Sequence, residues 1–330
     1  MYDVVGIGNA LVDVLVAIGD DGFLEERGLQ KGGMALVDTD QSDALYNALP
    51  PGVECSGGSV GNTMAGFAAL GGKGAYIGKV KDDSFGKVFR HDMQAIGVDF
   101  KTPAAADGPG TGRCLVMVSA DAQRTMATCL GAAVNLAPND VDANTIKNAA
   151  VTYLEGYLFD PEDAKQAFVK AADLAHAAGK RVALSLSDPF CVDRHRDAFL
   201  RLVEDHVDIL FANETEIMSL YQTETFDEAL QHVRGHCEIA CLTRSEKGSV
   251  ILRGEEMHVI DAEPLDGDLT DTTGAGDQFA AGFLWAFTRG DLDLATCGRV
   301  AGITAAEVII HYGARPEVDV RTIIRNRLGV

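Results

Sequence analysis

Short apolar runs alternate with longer amphipathic segments along most of the 330 residues of the chain. Such short runs are typical of strands covered on both faces, and the periodic segments between them predict helices. One helix is predicted over residues 161–178, because Pro161 stands near its start and Gly179 lies just past its end. The alternation predicts an α/β fold with a mostly parallel sheet between two layers of helices. The predicted strands are residues 4–7, 74–78, 151–155, 181–186, 209–212, 239–242 and 249–252.

Two segments, residues 11–45 and 98–129, interrupt this alternation. In the second segment, two strand-like runs flank residues 120–123, which is the pattern of a β-hairpin. Strands inserted at two separate places of an α/β chain could pair into a small sheet over one edge of the main domain. The sequence therefore predicts a core of residues 1–10, 46–97 and 130–330, and a β-sheet lid of residues 11–45 and 98–129.

The composition limits the partners of the chain. With 47% hydrophobic residues the chain can bury a substantial core. A net charge of −21 argues against a nucleic acid or an anionic membrane as a partner. The first residues carry no basic stretch and no apolar run approaches the length of a membrane span, so a cytoplasmic location is expected.

The cysteines and histidines of the chain bear on two possible features, a disulfide framework and a metal site. Seven scattered cysteines, an odd number, predict reduced thiols. His232, His236, Cys237 and Cys241 have a spacing that could bring two imidazoles onto one helical face. Because Cys241 lies in an apolar run that predicts a buried strand, the four groups are not expected to converge, and a structural role is favoured.

Residues 271–277, Asp-Thr-Thr-Gly-Ala-Gly-Asp, precede an apolar helical segment. Gly274, Ala275 and Gly276 would let the backbone approach a phosphate, and the free N–H groups of a helix start would stabilise its charge. Asp277 could then accept the proton of an attacking hydroxyl. The pattern predicts a phosphoryl-transfer site, although the glycines alone would equally suit an ordinary turn.

Two other nucleotide-binding patterns do not match this sequence. The segment beginning Gly6-Ile-Gly8 lacks the third glycine of the dinucleotide-binding fingerprint, and there is no P-loop lysine motif. A phosphate donor must therefore be held by another loop.

Seven motifs, spread in order over nearly the whole chain, resemble those of the PfkB (ribokinase-like) carbohydrate kinase family and, within it, the adenosine-kinase branch. They are residues 6–9 with Asp13, 57–62, 111–114 with Arg124, 156–158, 185–190, 207–216 and 271–277. The resemblance implies a ribokinase-like three-layer α/β/α core with a small β-sheet lid. It also implies ATP-dependent phosphorylation of a nucleoside 5′-hydroxyl, most closely the conversion of adenosine to AMP in purine salvage.

The resemblance assigns the chemical roles in this reaction. Asp277 is the general base, residues 274–276 form the anion hole, and Arg124 of the lid reaches the γ-phosphate. A guanidinium group suits phosphate oxygens because it offers several donors. Closure of the lid would exclude water from the transfer.

Polar residues near the lid hinges predict how an acceptor sugar is bound. Asn9 and Asp13 follow the first strand, and Asn62 follows a glycine turn, so their side chains could hydrogen-bond to sugar hydroxyls. By resemblance, Asp13, Gly58 and Asn62 bind the ribose, and Gly57 belongs to the same turn. In isolation, Asn62 could equally be a helix N-cap.

The resemblance places Met34, Leu36, Met126 and Tyr157 against the nucleobase, with Tyr157 at the position of a stacking phenylalanine. An aromatic ring there can still stack on a base. Taken alone, such residues would equally form the core of a lid. Thr128 and Cys129 depart from the family pattern.

The nucleotide end is predicted from two loops that follow strands. The resemblance assigns Thr243, Arg244 and Gly248 to ATP, with residues 301–315 flanking its adenine. The resemblance assigns Asn213 and Glu216 to the network of waters around Mg²⁺ and the ATP phosphates. Contact through water is expected, because Mg²⁺ prefers oxygen ligands and retains waters. The same two residues also have the spacing of a capping box. Asp271, Thr273 and carbonyls near Gly313 stand where some relatives bind K⁺.

Several alternatives remain open at this stage. A sugar kinase acting on ribose or another furanose would use the same catalytic end. Guanosine or inosine could replace adenosine, and a non-catalytic nucleoside-binding module is a further alternative. The chain could be a monomer, or a homodimer formed through a lid edge.

Overall fold

The computed structural model describes residues 1–121 and 123–330. The predicted hairpin turn at residues 120–123 includes Ala122, which lies outside the described residues. The described strands are β1 Tyr2–Ile7, β2 Leu11–Ala17, β3 Met34–Leu36, β4 Val53–Gly57, β5 Gly74–Ile77, β6 Asp99–Phe100, β7 Thr111–Val118, β8 Arg124–Gly131, β9 Ala149–Glu155, β10 Arg181–Ser185, β11 Ile209–Asn213, β12 Ile239–Thr243, β13 Ser249–Arg253 and β14 Glu256–Ile260. The α-helices are α1 Gly22–Glu25, α2 Thr39–Ala48, α3 Ser59–Ala69, α4 Ser84–Ala95, α5 Ala143–Lys147, α6 Glu162–Ala177, α7 Pro189–His206, α8 Glu214–Tyr221, α9 Phe226–Val233, α10 Ala275–Arg289, α11 Leu294–Val308 and α12 Val320–Leu328.

The large sheet has nine strands in the order β14-β13-β12-β11-β10-β9-β1-β5-β6. It is parallel from β12 to β6, and β13 and β14 continue it as antiparallel strands. All seven strands predicted from the sequence lie in this sheet. Helix α6 is confirmed as well, with Pro161 as its N-cap and Gly179 just past its end at a φ of +68°.

Side chains of the large sheet alternate between two apolar clusters, one on each face. In β1, Val4 belongs to the cluster that contains Phe283 of α10, and Val5 belongs to the cluster that contains Phe168 of α6. This alternation is what a strand covered on both faces requires. The predicted three-layer α/β/α core is therefore confirmed.

The small sheet has five strands in the order β3-β8-β7-β2-β4. Strands β7 and β8 form the predicted antiparallel hairpin, while β2 pairs with β7 and β3 pairs with β8 in parallel. The two inserted segments thus share one sheet, as expected for the lid.

Two strands belong to a different sheet from the one predicted for them. Strand β4 falls within residues 46–97, which were assigned to the core, yet it pairs with β2 of the lid. Strand β6 falls within residues 98–129, assigned to the lid, yet it pairs with β5 of the core. The sequence of β4, Val-Glu-Cys-Ser-Gly, has no apolar pattern that would identify it as a strand. Strand β6 has only two residues, too few to show such a pattern. The other boundaries between core and lid stay a prediction.

The two faces of the lid sheet differ in their surroundings. Val12, Val14 and Val16 of β2 are buried and belong to the same apolar cluster as Phe89 of α4. On the opposite face, residues directly across from one another on four strands form a row, namely Asp13, Cys114, Thr128 and Leu36. Residues two positions away along a strand share its face, so Arg124, Met126 and Met34 lie on this face too. We call it the inner face of the lid.

The histidine and cysteine residues considered as a metal cluster take part in packing. The ring of Tyr221 stacks on His232 with centroids 5.6 Å apart, and its hydroxyl lies 3.0 Å from Nδ1 of His236. Cys241 is buried in β12. Within residues 1–121 and 123–330, no group of His, Cys, Asp and Glu has the arrangement of a metal site. No helix in these described parts of the chain is long and apolar enough to cross a membrane.

Candidate active site

The start of α10 has the geometry expected for an anion hole. Gly274 is its N-cap with a φ of +79°, and a Cβ there would lie 2.6 Å from Cα of Ala314, so only glycine suits the position. At Gly276, by contrast, a Cβ would point into open space. The backbone N–H groups of Gly276 and Asp277 find no acceptor among the described residues. The helix start therefore offers open donors to an anion.

Asp277 lies in the first turn of α10 and is held by the start of α3. Its Oδ1 accepts a hydrogen bond of 2.6 Å from the hydroxyl of Ser59. Burial raises the pKa of Asp277 to about 8, and the negative charges of Glu155 and Asp13 act in the same direction. The hydrogen bond from Ser59 and the polar amide of Asn62 oppose this rise. A carboxylate whose pKa lies near neutral pH is suited to accept a proton during the reaction.

Glu155 is a functional-site residue that the sequence analysis missed. Its carboxyl is almost fully buried at the end of β9, where it accepts hydrogen bonds from Nδ2 of Asn9 at 2.8 Å and from the backbone N–H of Val60 at 2.9 Å. Burial raises its pKa to about 7. Glu155 thus fixes the loop after β1 and the start of α3 to one another.

This network changes the interpretation of Asn9. The residue was predicted to bind a sugar hydroxyl, but it is 2% exposed and its amide nitrogen is directed at Glu155. Its Oδ1 is buried without a hydrogen-bond partner in the described part of the chain. Asn9 therefore lies behind the cleft, where it supports the loop that leads to the lid.

Asp13 lies on the inner face of the lid, against the glycine turn that leads to α3. A side chain at Gly57 would overlap with the Asp13 carboxyl, and at Gly58, which has a φ of +80°, a Cβ would overlap with the carbonyl oxygen of Asn9. Both glycines are therefore needed for the close approach of β2 and β4. Burial raises the pKa of Asp13 to about 6, against the charges of Arg315 and Arg124. The structure brings Asp13 close enough to Asp277 for the charge of Asp13 to raise the pKa of Asp277.

Asn62 lies one turn into α3 and is 7% exposed. Its backbone carbonyl accepts a hydrogen bond of 3.0 Å from Nε2 of Gln278, which also donates to the carbonyl of Ala314 at 2.8 Å. Its side-chain Oδ1 accepts from Nε of Arg315 at 3.2 Å. Gln278 and Arg315 thus join the acceptor side to the catalytic helix, and neither was predicted.

Arg124 reaches from the lid to the loop before α10. Its Nη1 lies 2.9 Å from Oδ2 of Asp271, and the guanidinium group lies over the ring of Tyr312 at 5.4 Å. Both partners of the ion pair are largely buried, with 8% and 12% of their side chains exposed. The Nε and Nη2 atoms of Arg124 are buried without a partner among the described residues. Two unused donors beside an anion hole suit phosphate oxygens.

Asp271 does not offer a free carboxylate to a monovalent cation. Its Oδ1 accepts from the backbone N–H and the hydroxyl of Thr273, at 3.0 and 2.7 Å. Its Oδ2 is shared between Arg124 and the backbone N–H of Gly313. Protein donors therefore use both oxygens, and this arrangement does not suit a K⁺ ligand. K⁺ dependence stays a prediction without a structural basis here.

Three of the residues predicted to face a nucleobase, Met34, Leu36 and Met126, lie on the inner face of the lid. Met34 and Leu36 are 53% and 61% exposed, and Met34 lies directly opposite Met126. Tyr157, the fourth, is 40% exposed and belongs to the core, where it follows β9. On the same face, the hydroxyl of Thr128 donates to Sγ of Cys114 at 3.3 Å. Large apolar side chains left open beside a cleft are typical of a ligand-binding wall.

The nucleotide end combines two loops at the carboxyl edge of the large sheet. Asn213 and Thr243 are direct neighbours in the pairing of β11 with β12. Arg244 donates to Oε1 of Glu214 at 3.1 Å and lies over the ring of Phe226. Gly248 has a φ of +78°, which keeps its loop close to β14. The residues predicted to bind ATP thus lie at the same edge of the large sheet, and Arg244 is paired with the Glu214 carboxylate.

Asn213 and Glu216 form the capping box of α8. Oδ1 of Asn213 accepts from the N–H of Glu216 at 2.8 Å, and the Glu216 carboxyl accepts from both nitrogens of Asn213. Burial raises the pKa of Glu216 to about 7, and the described residues place no cation beside it. A buried carboxyl of this kind at a strand end suits a hydrated Mg²⁺ nearby, which would favour its charged form.

Comparison with known proteins gives a consistent result over the whole chain. The model of the pfkB family carbohydrate kinases matches residues 46–321. The solved adenosine kinase of Sinorhizobium meliloti is 47% identical, with 99% of each chain covered and a TM-score of 0.89. A probable sugar kinase of Rhizobium etli CFN 42 is 44% identical, covers 99% of this chain and 98% of that chain, and has a TM-score of 0.90. The adenosine kinase of Saccharomyces cerevisiae is 28% identical over 317 residues, which covers 88% of this chain and 89% of the yeast protein.

Proposed function

Because the chain belongs to the pfkB family of carbohydrate kinases and is therefore a phosphotransferase with an alcohol acceptor, we propose that it phosphorylates the 5′-hydroxyl of adenosine. The observation that carries the proposal is the start of α10. There, a carboxylate with a raised pKa lies beside backbone donors that have no other partner. The donor of the phosphoryl group is ATP, as in kinases of this family.

The residues of the chain support an in-line transfer. The acceptor hydroxyl lies beside Asp277, which takes its proton as the oxygen forms a bond to the γ-phosphorus. The bond from that phosphorus to the bridging oxygen of ATP breaks, and ADP leaves. The N–H groups of Gly276 and Asp277, with the two unused donors of Arg124, stabilise the charge on the transferred group. Mg²⁺ near Asn213 and Glu216 would supply charge neutralisation for the ATP phosphates.

A nucleoside acceptor is favoured by the walls of the cleft. Asp13 provides a polar end against the glycine turn, which suits the hydroxyls of a ribose. Beyond it, Met34, Leu36 and Met126 provide an apolar surface on the same face, which suits a flat base. The similarity to the Sinorhizobium meliloti adenosine kinase supports this choice.

The test is Mg²⁺-dependent release of ADP from ATP with adenosine, guanosine, inosine, ribose and fructose offered separately. Adenosine should give the fastest release. An Asp277→Asn variant should lose turnover by a factor of about 100 to 10,000, as expected for loss of a general base, while it still binds adenosine. Undiminished turnover in this variant would contradict the catalytic assignment.

A sugar kinase is the second candidate function. It is favoured by the 44% identity to the probable sugar kinase of Rhizobium etli. Release of ADP with ribose or fructose but not with any nucleoside would select this alternative. The catalytic end of the site would then keep its assignment, and only the role of the apolar wall would change.

A further inference from the structure

Arg315 lies in the loop that follows α11 and contacts three other elements. Its Nε donates to Oδ1 of Asn62 at 3.2 Å, and its Nη1 donates to Oδ2 of Asp92 at 3.1 Å. Its Nη2 donates to the carbonyl and to the hydroxyl oxygen of Ser56, the latter at 2.7 Å. One guanidinium group thus joins α3, α4 and the lid strand β4.

Asp92 completes this junction from α4. Its Oδ2 accepts from the backbone N–H of Ser56 at 2.8 Å and from the Ser56 hydroxyl at 2.5 Å. Burial raises the pKa of Asp92, but these hydrogen bonds and the charge of Arg315 outweigh burial and hold the pKa below its ordinary value. The ionised carboxylate and the guanidinium make charge-assisted hydrogen bonds, which are among the stronger ones. These contacts hold strand β4 in place at Ser56, the residue before Gly57.

The contact with Asn62 has a directional consequence. A side-chain amide has one end that accepts hydrogen bonds and one end that donates them. Because Oδ1 of Asn62 accepts from Arg315, its Nδ2 is directed away from Arg315 and is free to act as a donor on that side. The Asn62 amide is also, with the Ser59 hydroxyl, one of the two polar side chains that lower the pKa of Asp277. Rotation of the amide would instead present an oxygen to that carboxylate.

The residues before Arg315 contact the rest of the catalytic machinery. The ring of Tyr312 lies under the guanidinium of Arg124. The carbonyl of Ala314 accepts from Gln278 of the catalytic helix. Residues 312–315 therefore touch the lid arginine, the catalytic helix and the acceptor side in succession.

We propose that Arg315 is a positioning residue of the transfer reaction, which orients the Asn62 amide and holds strand β4 in place without contacting the acceptor. This proposal rests on the proposed function, because the orientation matters only if Asn62 and Asp277 serve the acceptor.

A double-mutant cycle on kcat/KM tests the orientation. Arg315→Met should lower kcat/KM about tenfold to 100-fold, the range for loss of a hydrogen bond to a charged group. In an Asn62→Ala background the same change should lower it by a clearly smaller factor, because the group that Arg315 orients is gone and only its hold on β4 is lost. Equal losses in both backgrounds would overturn the proposal. Arg315→Lys should not restore activity, since an ammonium group cannot serve three partners in a plane.

Arg90→Met is the matched control for these variants. Arg90 is another half-buried arginine, and it donates to the backbone carbonyls of Phe100 and Thr102, outside the site. Its loss should lower thermal stability and leave kcat/KM unchanged. A fall in kcat/KM equal to that of Arg315→Met would attribute both effects to general destabilisation and overturn the proposal.

A second measurement does not depend on turnover. Hydrogen exchange at the backbone N–H of Ser56 should become faster in Arg315→Met and stay unchanged in Arg90→Met. Unchanged exchange in Arg315→Met would overturn the role of Arg315 in holding β4. If the unaltered chain phosphorylates none of the acceptors, the proposed function fails, while the exchange rates still decide whether Arg315 holds this strand.

Discussion

At the residue scale, the protonation of one carboxyl is central to the proposed reaction. Burial and two nearby carboxylates raise the pKa of Asp277, while the hydroxyl of Ser59 lowers it through a hydrogen bond of 2.6 Å. Because Asp277 must be ionised to accept a proton, kcat/KM should rise with pH towards a plateau above about 8.

Removal of the Ser59 hydroxyl should shift the pH dependence of kcat/KM. Ser59→Ala removes a hydrogen bond that favours the charged form, so the pKa of Asp277 should rise and the acidic limb of kcat/KM should move to higher pH. Ser219→Ala is the matched control, because Ser219 also donates to an aspartate, Asp193, at 2.6 Å, and neither residue is assigned to the site. If the acidic limb of kcat/KM lay at the same pH in Ser59→Ala and in the unaltered chain, this account of the Asp277 environment would be contradicted.

The residues that the sequence could and could not reveal differ in a physical respect. Asp277 and the glycines before it are consecutive, so their spacing alone predicts a carboxylate at a helix start. Ser59, Glu155 and Arg315 act on partners 95 to 259 positions away in the chain. No local spacing encodes such contacts. An acidic residue at the end of an apolar strand, as Glu155 is, was nevertheless a usable signal for a buried network.

At the element scale, the two glycines that begin α10 have different tasks. Gly274 has a φ of +79° and no room for a side chain, whereas Gly276 has room but faces the proposed phosphate site. Gly274→Ala should lower the free energy of unfolding by about 1–3 kcal/mol, because both strain and overlap oppose the side chain. Gly276→Ala should keep its stability and lose turnover, because a methyl group occupies the space for the anion.

Thermal unfolding and kcat measured on both variants separate these effects. Gly290→Ala is the control for strain alone, since Gly290 ends α10 at a φ of +75° with open space around it. A Gly276→Ala variant with full turnover would contradict the position of the anion hole.

The lid sheet presents an arginine on each face. Arg124 lies on the inner face against Asp271, whereas Arg113 on the outer face donates to Ser42 of α2. Arg124→Met should lower kcat at least about 100-fold, as for loss of a transition-state donor, and should also lower thermal stability, because it leaves the largely buried Asp271 without its cation. Arg113→Met should lower thermal stability and leave kcat nearly unchanged. Equal kcat values for Arg124→Met and the unaltered chain would exclude a phosphate contact.

The sequence predicted the hairpin of the lid but not strand β4. Thr111–Val118 and Arg124–Gly131 are rich in strand-forming residues around a short turn, so their pairing was predictable. Val53–Gly57 has few apolar residues, and its place in the lid depends on side-chain contacts at Ser56 and on two glycines. Tertiary contacts, which the pattern of a single segment does not contain, determine such a strand.

At the scale of the whole molecule, buried carboxyls should make stability depend on pH. The pKa values of Asp13, Glu155 and Asp277 are raised to about 6, 7 and 8. Between the ordinary pKa of a carboxyl and these values, the folded chain binds protons that the unfolded chain has released. The free energy of unfolding should therefore fall as pH rises from about 4 to about 8.

Comparison of two variants isolates this contribution from general charge repulsion. Asp277→Asn should show a smaller fall in unfolding free energy over that pH range, and should be more stable than the unaltered chain at pH values above 8. Asp107→Asn changes the net charge equally at an exposed position, and should follow the unaltered chain. If the unfolding free energies of Asp277→Asn and the unaltered chain changed in parallel with pH, the pKa of Asp277 would not be raised in the folded chain.

The apolar cluster beneath the outer face of the lid extends without a break into the layer that contains α10. Val12, Val14 and Leu115 of the lid share this cluster with Phe89 of α4 and Phe283 of α10. Among the described residues the lid has no apolar cluster of its own, so it is not an exchangeable module. Grafting the lid of a relative onto this scaffold to change acceptor preference would disturb the packing of the catalytic layer. Engineering should therefore alter only the inner face.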